Sequence, residues 1–291
     1  MARTREIKRR IKSIDNTKQI TRTMEMVAGA KIRKSQERIE NSRPYTTKMM
    51  EVLANLSSYV KAGKHPLLEV HEKQERVYVL SITSNRGLCG AFNTNIIRKT
   101  ESILEREKQA DREILLSVAG QKGINYFKYC GYELLSEYTE IGDSPKFEDA
   151  REIAAKIMEM YINHEVDKVL IVFNHFKSVM DQRPIEYNIL PIEKDMAEGE
   201  KERVIRDDYI FEPSPEKVLY ELLPTYVETL VYRTLMESVA SEHGARRTAM
   251  KAASDNAVEM IGQLTMTFNR ARQAQITQEI SEIVGGAEAL K

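Results

Sequence analysis

Apolar residues recur at helical spacing at both ends of the chain and at strand spacing between them. In the first arm Ile7, Ile11 and Ile14 stand four and then three apart, the narrow seam of a coiled coil. Asp15 to Gln19 interrupts the stripe, and Ile20, Met24 and Val27 resume it displaced in phase, which reads as a stutter. Ala28, Gly29 and Ala30 are small enough to let a partner helix come close. Pro44 predicts a kink or break, and Leu53, Leu56 and Val60 carry an apolar face up to Gly63 and Pro66. The last arm opens at Pro213-Ser214-Pro215-Glu216, with a broad face of Leu219, Leu222, Leu223, Val227, Leu230 and Val231 and Pro224 as a candidate kink. Ala257, Ile261, Leu264, Phe268 and Ala271 then alternate four and three. The next two positions, Gln275 and Gln278, are polar, while Ile276, Ile280, Ile283, Ala287 and Leu290 carry a shifted stripe.

At about 1.5 Å per residue the two arms would be helices of roughly 90 and 110 Å. Helices of that length at opposite ends of one chain are best stabilised by packing on each other. The predicted fold class is therefore α/β: a long antiparallel coiled coil of N- and C-terminal helices plus a central, mostly parallel, Rossmann-like α/β domain. The expected divisions are 1–62 for the first helix, 75–192 for the central domain, 193–212 for an acidic connection and 213–291 for the last helix. In the middle, 77–83, 114–118, 168–173 and 185–192 read as strands, and 96–104, 124–129 and 150–162 as helices. Alternation of the two implies a sheet covered on both faces. Pro184 and Pro191 bracket the last strand and place it at an edge.

Composition changes this picture little; charge changes it more. The 291 residues carry 44 Lys/Arg and 44 Asp/Glu, yet residues 1–43 hold thirteen basic against five acidic side chains. Residues 193–212 hold eight acidic against four basic. A basic helical arm suits an acidic partner, whether nucleic acid, membrane or protein. Without Trp anywhere, and without Tyr or Phe before Tyr45, that arm is poorly equipped for base stacking. Cys89 and Cys130 make neither a disulfide framework nor a zinc motif, which fits a reducing compartment. No apolar run is long enough to span a membrane, and the start of the chain does not read as a signal segment.

Candidate chemistry is sparse. Ser84 to Asn93 follows the first strand and opens a helix, where α/β folds bind phosphates on backbone N–H groups. It lacks the order of a P-loop, so a tight strand-to-helix turn is the plainer reading. Gly120-Gln121-Lys122-Gly123 occupies an analogous position with a weaker match. His71 and His164 lack a second His at ligand spacing, and Cys89 reads as a small buried side chain. The basic residues from Arg3 to Arg38 read first as a solvated face, and Met24 and Met26 as seam or near-seam residues. Two rivals to a mechanical coiled coil stand on the residues alone: a small-molecule enzyme built on the α/β middle, and a nucleic-acid-binding or scaffold coiled coil using the basic arm.

The wording of the arms is specific. Ile20-Thr21-Arg22-Thr23-Met24-Glu25-Met26-Val27-Ala28 and Ser42-Arg43-Pro44-Tyr45 resemble the N-terminal helix of the γ subunit of rotary F-type ATP synthases. Met250 to Ala257 and Asn269-Arg270-Ala271-Arg272-Gln273-Ala274-Gln275-Ile276-Thr277-Gln278-Glu279-Ile280 resemble its C-terminal helix, and Ser84 to Gly90 the start of its central domain. The resemblance spans essentially the whole chain.

It implies a non-catalytic central shaft. The coiled coil would enter an α3β3 hexamer, and the central domain would sit on the membrane ring of c subunits beside the ε subunit. Ion flow would turn ring and shaft, and the shaft would drive the β sites through different affinities. It implies no cofactor, no metal, no catalytic residue, no nucleic acid, and peripheral association with the cytoplasmic side of the cell membrane through the complex. Met24 would face the β-subunit levers, whose acidic loops suit the basic arm. Arg272, Gln273 and Thr277 would meet the β catch loops. Tyr209, Phe211 and Glu212 would lie at the foot, near the c ring. Plastid relatives carry an inserted cysteine pair; here no insert separates Cys89 from Cys130, which points to the bacterial type. Aligning the two polar breaks would set Met24 opposite Met266, whereas the family arrangement sets it nearer Arg246 to Met250.

Overall fold

The computed structural model describes residues 2–59, 65–142, 144–179, 181–192 and 211–289. Helix α1 (Ala2–Tyr59) is followed by a 3₁₀ turn at Pro66–Leu68. Then come β1 (Arg76–Ile82), α2 (Phe92–Gln109), β2 (Glu113–Ala119), α3 (Gln121–Tyr129) and β3 (Ser136–Tyr138). The remainder is α4 (Phe147–Ile162), β4 (Lys168–Phe176), β5 (Gln182–Leu190) and α5 (Pro215–Ala289). The chain forms two compact units: Ala30–Ala245, and Met1–Gly29 together with Arg246–Lys291.

In the larger unit the sheet order is β3-β2-β1-β4-β5. The first three pairings are parallel, and β5 runs antiparallel to β4 along one edge. β1 reads RVYVLSI because a central parallel strand is covered on both faces. Its alternate residues feed two different cores. Tyr78, Leu80 and Ile82 join Met49, Leu53 and Leu56 of α1, Ile153 and Ile157 of α4, and Tyr226, Val227 and Leu230 of α5. Val77 and Val79 join Phe92, Ile96 and Ile103 of α2 and Phe127 of α3. β4 divides the same way, Val169 and Ile171 to the first core and Leu170 and Val172 to the second, the period-2 rule at work. Pro184 sits in β5 opposite Asn174, tolerated because an edge strand needs only one row of ladder bonds.

Neither proline breaks its helix: Pro44 lies inside α1 and Pro224 inside α5. Each forfeits one backbone hydrogen bond, but packed residues stand on both sides, Ile39 and Thr46 about Pro44 and Leu223 and Tyr226 about Pro224. Every residue from Thr234 to Gly244 is buried, so α5 is enclosed all round there rather than along one stripe. Gly244 permits this approach: a Cβ at that position would stand 2.5 Å from Gln182 Nε2.

The smaller unit is an antiparallel helix pair. Thr4 Oγ1 donates to Gln275 Oε1 at 3.2 Å, while Gly29 faces Arg247, whose Nε lies 3.8 Å from where a Cβ would stand. The shielded positions of α1 run Thr4, Ile7, Ile11, Ile14, Lys18, Thr21, Glu25 and Ala28, a heptad that keeps one phase, with Asp15, Met24 and Gly29 half-shielded beside it. This corrects the stutter expected from sequence. Ile20 is 61% exposed and Val27 51%; Met26 also lies outside the seam. The phase set by Ile7, Ile11 and Ile14 carries on through polar residues. Thr21 turns its hydroxyl back to the Lys18 carbonyl at 3.0 Å, and Lys18 pairs with Asp15. In α5 the shielded positions run Met250, Ser254, Ala257, Ile261, Leu264, Phe268, Ala271 and Gln275. Gln275 thus continues the seam to the start of α1, and beyond it every residue from Ile276 to Ala287 is exposed, Ile276, Ile280 and Ile283 at 47, 56 and 71%.

Candidate functional site

Two places were expected to carry function: the loop after β1 and the outer surface of the terminal helices. β1 lies where the strand order reverses, so its C-terminal end is the crevice in which open α/β sheets bind ligands. The loop there is tied up internally. Asn93 Oδ1 accepts from the Ser84 backbone N–H at 2.9 Å, and Ser84 Oγ donates to the Arg86 carbonyl at 2.6 Å. Asn85 acts as a staple. Its Nδ2 donates to the carbonyls of Thr139 and Ile141 at 3.1 and 3.0 Å, and its Oδ1 accepts from Gln121 N–H at 2.9 Å. Cys89 is buried against Asn93 Nδ2 at 3.3 Å.

The neighbouring Gly120-Gln121-Lys122-Gly123 turn is likewise a packing device. Thr83 Oγ1 donates to the Ala119 carbonyl at 2.9 Å and accepts from Gly123 N–H at 3.0 Å. A Cβ on Gly120, whose φ is +96°, would stand 2.2 Å from the Thr83 carbonyl oxygen. Helix α5 fills the crevice itself: Ser241 Oγ donates to the Asn174 carbonyl at 2.8 Å. Leu235, Ser238 and Glu242 close what is left to a cavity of about 20 Å³. Ligand pockets run to hundreds of cubic ångströms, so the geometry of this loop serves strand-to-helix packing. Among the described residues no group of His, Cys, Asp and Glu has the arrangement of a metal site.

Electrostatics concentrate elsewhere on the larger unit. Glu107, 2% exposed, receives Arg106 at 2.7 Å and Arg112 at 2.6 Å, and Arg106 and Lys99 continue to Glu186 on β5. Burial alone would raise the Glu107 pKa, but hydrogen bonds from Arg106 and Arg112 carry it below the usual carboxylate value. Asp167 behaves alike: burial opposes its charge, while the His71 ring and the N–H groups of Arg76 and Glu75 hold its pKa down. Both clusters pin strands and connections together.

The outer surface of the smaller unit carries the other expected residues. Arg272, Gln273 and Thr277 are exposed on α5, and Met24 is half-shielded on α1. These do not form one site. Counting in opposite senses from the Gly29–Arg247 and Thr4–Gln275 pairs sets Met24 against residues 252 to 255. Arg272 to Thr277 stand roughly 30 Å further along the helix. The register with Met24 opposite Met266 is therefore excluded, and the alternative at Arg246 to Met250 is short by about one turn. Arg5, Lys8, Arg9, Arg10 and Lys12 are exposed on the same helix. Ile276, Ile280 and Ile283, which read as a shifted stripe in the sequence, stand with Val284 on the stretch of α5 beyond Gln275 and are exposed there. At the other predicted site, Tyr209 lies outside the described residues, Phe211 packs against the first core, and Glu212 is exposed. A polar cleft around His175 and Glu237 has no counterpart in the sequence reading.

A family model described as ATP synthase matches residues 3–290. The ATP synthase gamma chain of Desulforamulus reducens is 45% identical over 291 residues, the full length of both chains. That of Heliobacterium modesticaldum is 48% identical over 98% of each. Among solved structures, a chain of the Tetrahymena thermophila mitochondrial ATP synthase central stalk and c ring is similar with a TM-score of 0.60 and 27% identity, over 81% of this chain and 99% of that one. A chain of the Euglena gracilis mitochondrial ATP synthase shares the fold with a TM-score of 0.70 at 22% identity, over 99% and 95%.

Proposed function

The chain belongs to the ATP synthase gamma chain family, and from that premise we propose how its surfaces divide the work of a rotor. Its role is that of the central stalk of an F-type ATP synthase, the rotor subunit rather than the catalytic one. Its partners are the α and β subunits, the ε subunit and the c ring. The complex is membrane-associated, and no helix among the described residues is long and apolar enough to cross a membrane.

In the proposed division, segments 1–62 and 213–291 form the shaft, 75–192 the body that engages the foot of the motor, and 193–212 the connection. Met24 and the basic side chains of α1 meet acidic lever loops of β. Arg272, Gln273 and Thr277 meet the catch loops, and Tyr209, Phe211 and Glu212 stand near the c ring. The complex would sit at the cytoplasmic face of the cell membrane. One observation carries this reading: α5 runs on past Gln275, the last residue the helix pair shields, and there Ile276, Ile280, Ile283 and Val284 stand exposed at helical spacing. An apolar stripe on that scale calls for cover by another protein, and a surrounding hexamer supplies it. The filled crevice at β1 removes the ground for a nucleotide-dependent enzyme. Co-expression of the full chain with α and β subunits tests the proposal. The expected result is a complex of three α, three β and one copy of this chain that loses its coupling when Ile276 and Ile280 become Asp. Separate elution of the chain would overturn it.

A further inference from the structure

Ser42 and Arg43 belong to the wording that carries the family resemblance, yet shaft function gives them no task. They open onto a cleft of about 330 Å³ in the larger unit, between the Gln36–Met50 stretch of α1, the end of β4 and the Tyr232–Glu237 stretch of α5. That volume is of small-ligand size. At its wall Glu237, 5% exposed, accepts from Arg233 Nε at 2.8 Å and from His175 Nδ1 at 2.6 Å. Because Nδ1 carries its proton toward the carboxylate, His175 keeps Nε2 for another partner. Arg233 likewise keeps donors beyond the one it uses. Both side chains stay about half exposed, at 44 and 49%. Arg43 and Lys177 add two cations to the lining, both exposed and, among the described residues, without an ion pair. The remaining acid is Glu40. Three permanent cations thus line the cleft against two carboxylates, and one of those is already shared by Arg233 and His175.

We propose that this cleft binds a small phosphoryl anion. The polar groups come from three separate elements: cationic donors from Arg43 of α1, Lys177 just after β4 and Arg233 of α5, with His175 Nε2 of β4 left as an acceptor for a phosphoryl O–H. A tetrahedral oxyanion offers acceptors in that many directions, whereas a planar carboxylate is met by a single fork. Glu40 limits the charge the cleft tolerates, which favours one phosphoryl group over a polyphosphate. Glu237 is the positioning residue: it orients His175 and Arg233 and touches no ligand itself.

The test titrates the full chain with inorganic phosphate, followed by calorimetry and by phosphorus-31 line width. Acetate and chloride at matched ionic strength are the controls. Wild type is expected to bind phosphate saturably and to melt at higher temperature in phosphate than in chloride. The double variant R43E/K177E is expected to melt as wild type in chloride but to bind phosphate at least about tenfold more weakly, the effect of losing charge-assisted bonds. H175Q is expected to weaken binding with folding intact. The proposal fails if acetate binds as well as phosphate, if R43E/K177E binds like wild type, or if no saturation appears by on the order of 10 mM.

Discussion

Thr4 and Gln275, 271 positions apart in sequence, meet through a hydrogen bond of 3.2 Å in the seam of the smaller unit. This pair and the Gly29–Arg247 approach set the register of the two helices. A polar pair in an apolar seam costs stability and specifies alignment. In a Cys130→Ser background, which leaves only the buried Cys89, M24C is expected to crosslink to S254C through a short bismaleimide and not to M266C. Gel mobility after crosslinking reads the answer, and an M24C–M266C product would refute the register.

The outward face of α5 predicts a separation between stability and assembly. Ile276 and Ile280 are about half exposed, so I276D and I280D are expected to change the stability of the free chain by no more than about 0.5 kcal/mol. In the complex with α and β the same substitutions place charges against whatever covers the stripe, and a desolvated charge there costs several kcal/mol. Thermal melts of the free chain should be unchanged, while ATP hydrolysis by the assembled complex and its retention of this chain on gel filtration should both fall. Equal loss in melting temperature would show the stripe to be part of the fold.

Glu107 makes the larger unit acid-sensitive. Its folded pKa lies below the ordinary 4.5 because Arg106 and Arg112 outweigh burial. A carboxyl depressed on folding adds stability that is complete above its unfolded pKa and is lost as pH falls through the folded value. E107Q is therefore expected to cost about 1–3 kcal/mol at pH 7, discounted because Arg106 is half exposed, and far less near pH 3. Urea midpoints of wild type and variant at the two pH values measure this, and a cost independent of pH would reject the linkage.

Much of the larger unit is legible in the sequence because its signals are local. The apolar runs of β1 and β4 have no other comfortable place than a two-sided parallel sheet, and the prolines about Ile185 mark an edge. β3 is missed because three residues, Ser136–Tyr138, carry no periodicity and pair only along β2. The break expected as one outcome at Pro44 does not occur, because tertiary packing outweighs one lost backbone bond. The seam is misread at Ile20 and Val27 for a different reason. Hydrophobicity there indicates a contact but not with what, and the helix partner alone sets the phase. His175 and Glu237 stand 62 residues apart on different elements, a juxtaposition no spacing rule conveys. The candidate contact residues Met24, Arg272, Gln273 and Thr277 came from resemblance, and only the register reveals that they occupy two places on the helix pair.

Gly120 offers the sharpest test of the loop reading. If the turn after β2 existed to cradle a ligand, Gly120→Ala would impair binding and leave folding largely intact. The geometry says otherwise. With φ at +96° an Ala is strained wherever it points, at about 1–3 kcal/mol, and its Cβ would meet backbone rather than a yielding side chain, 2.2 Å from the Thr83 carbonyl oxygen. Relief requires Thr83 to move, and Thr83 Oγ1 holds the Ala119 carbonyl and the Gly123 N–H together. Displacing it also disturbs the Asn85 staple two residues on. G120A is therefore expected to destabilise the larger unit by more than about 3 kcal/mol, read as a lower urea midpoint. Lys122→Ala, which removes the most ligand-like side chain of the same turn, is expected to leave the stability read from that midpoint within about 0.5 kcal/mol of wild type. The reverse order of the two effects would make the turn a binding site after all.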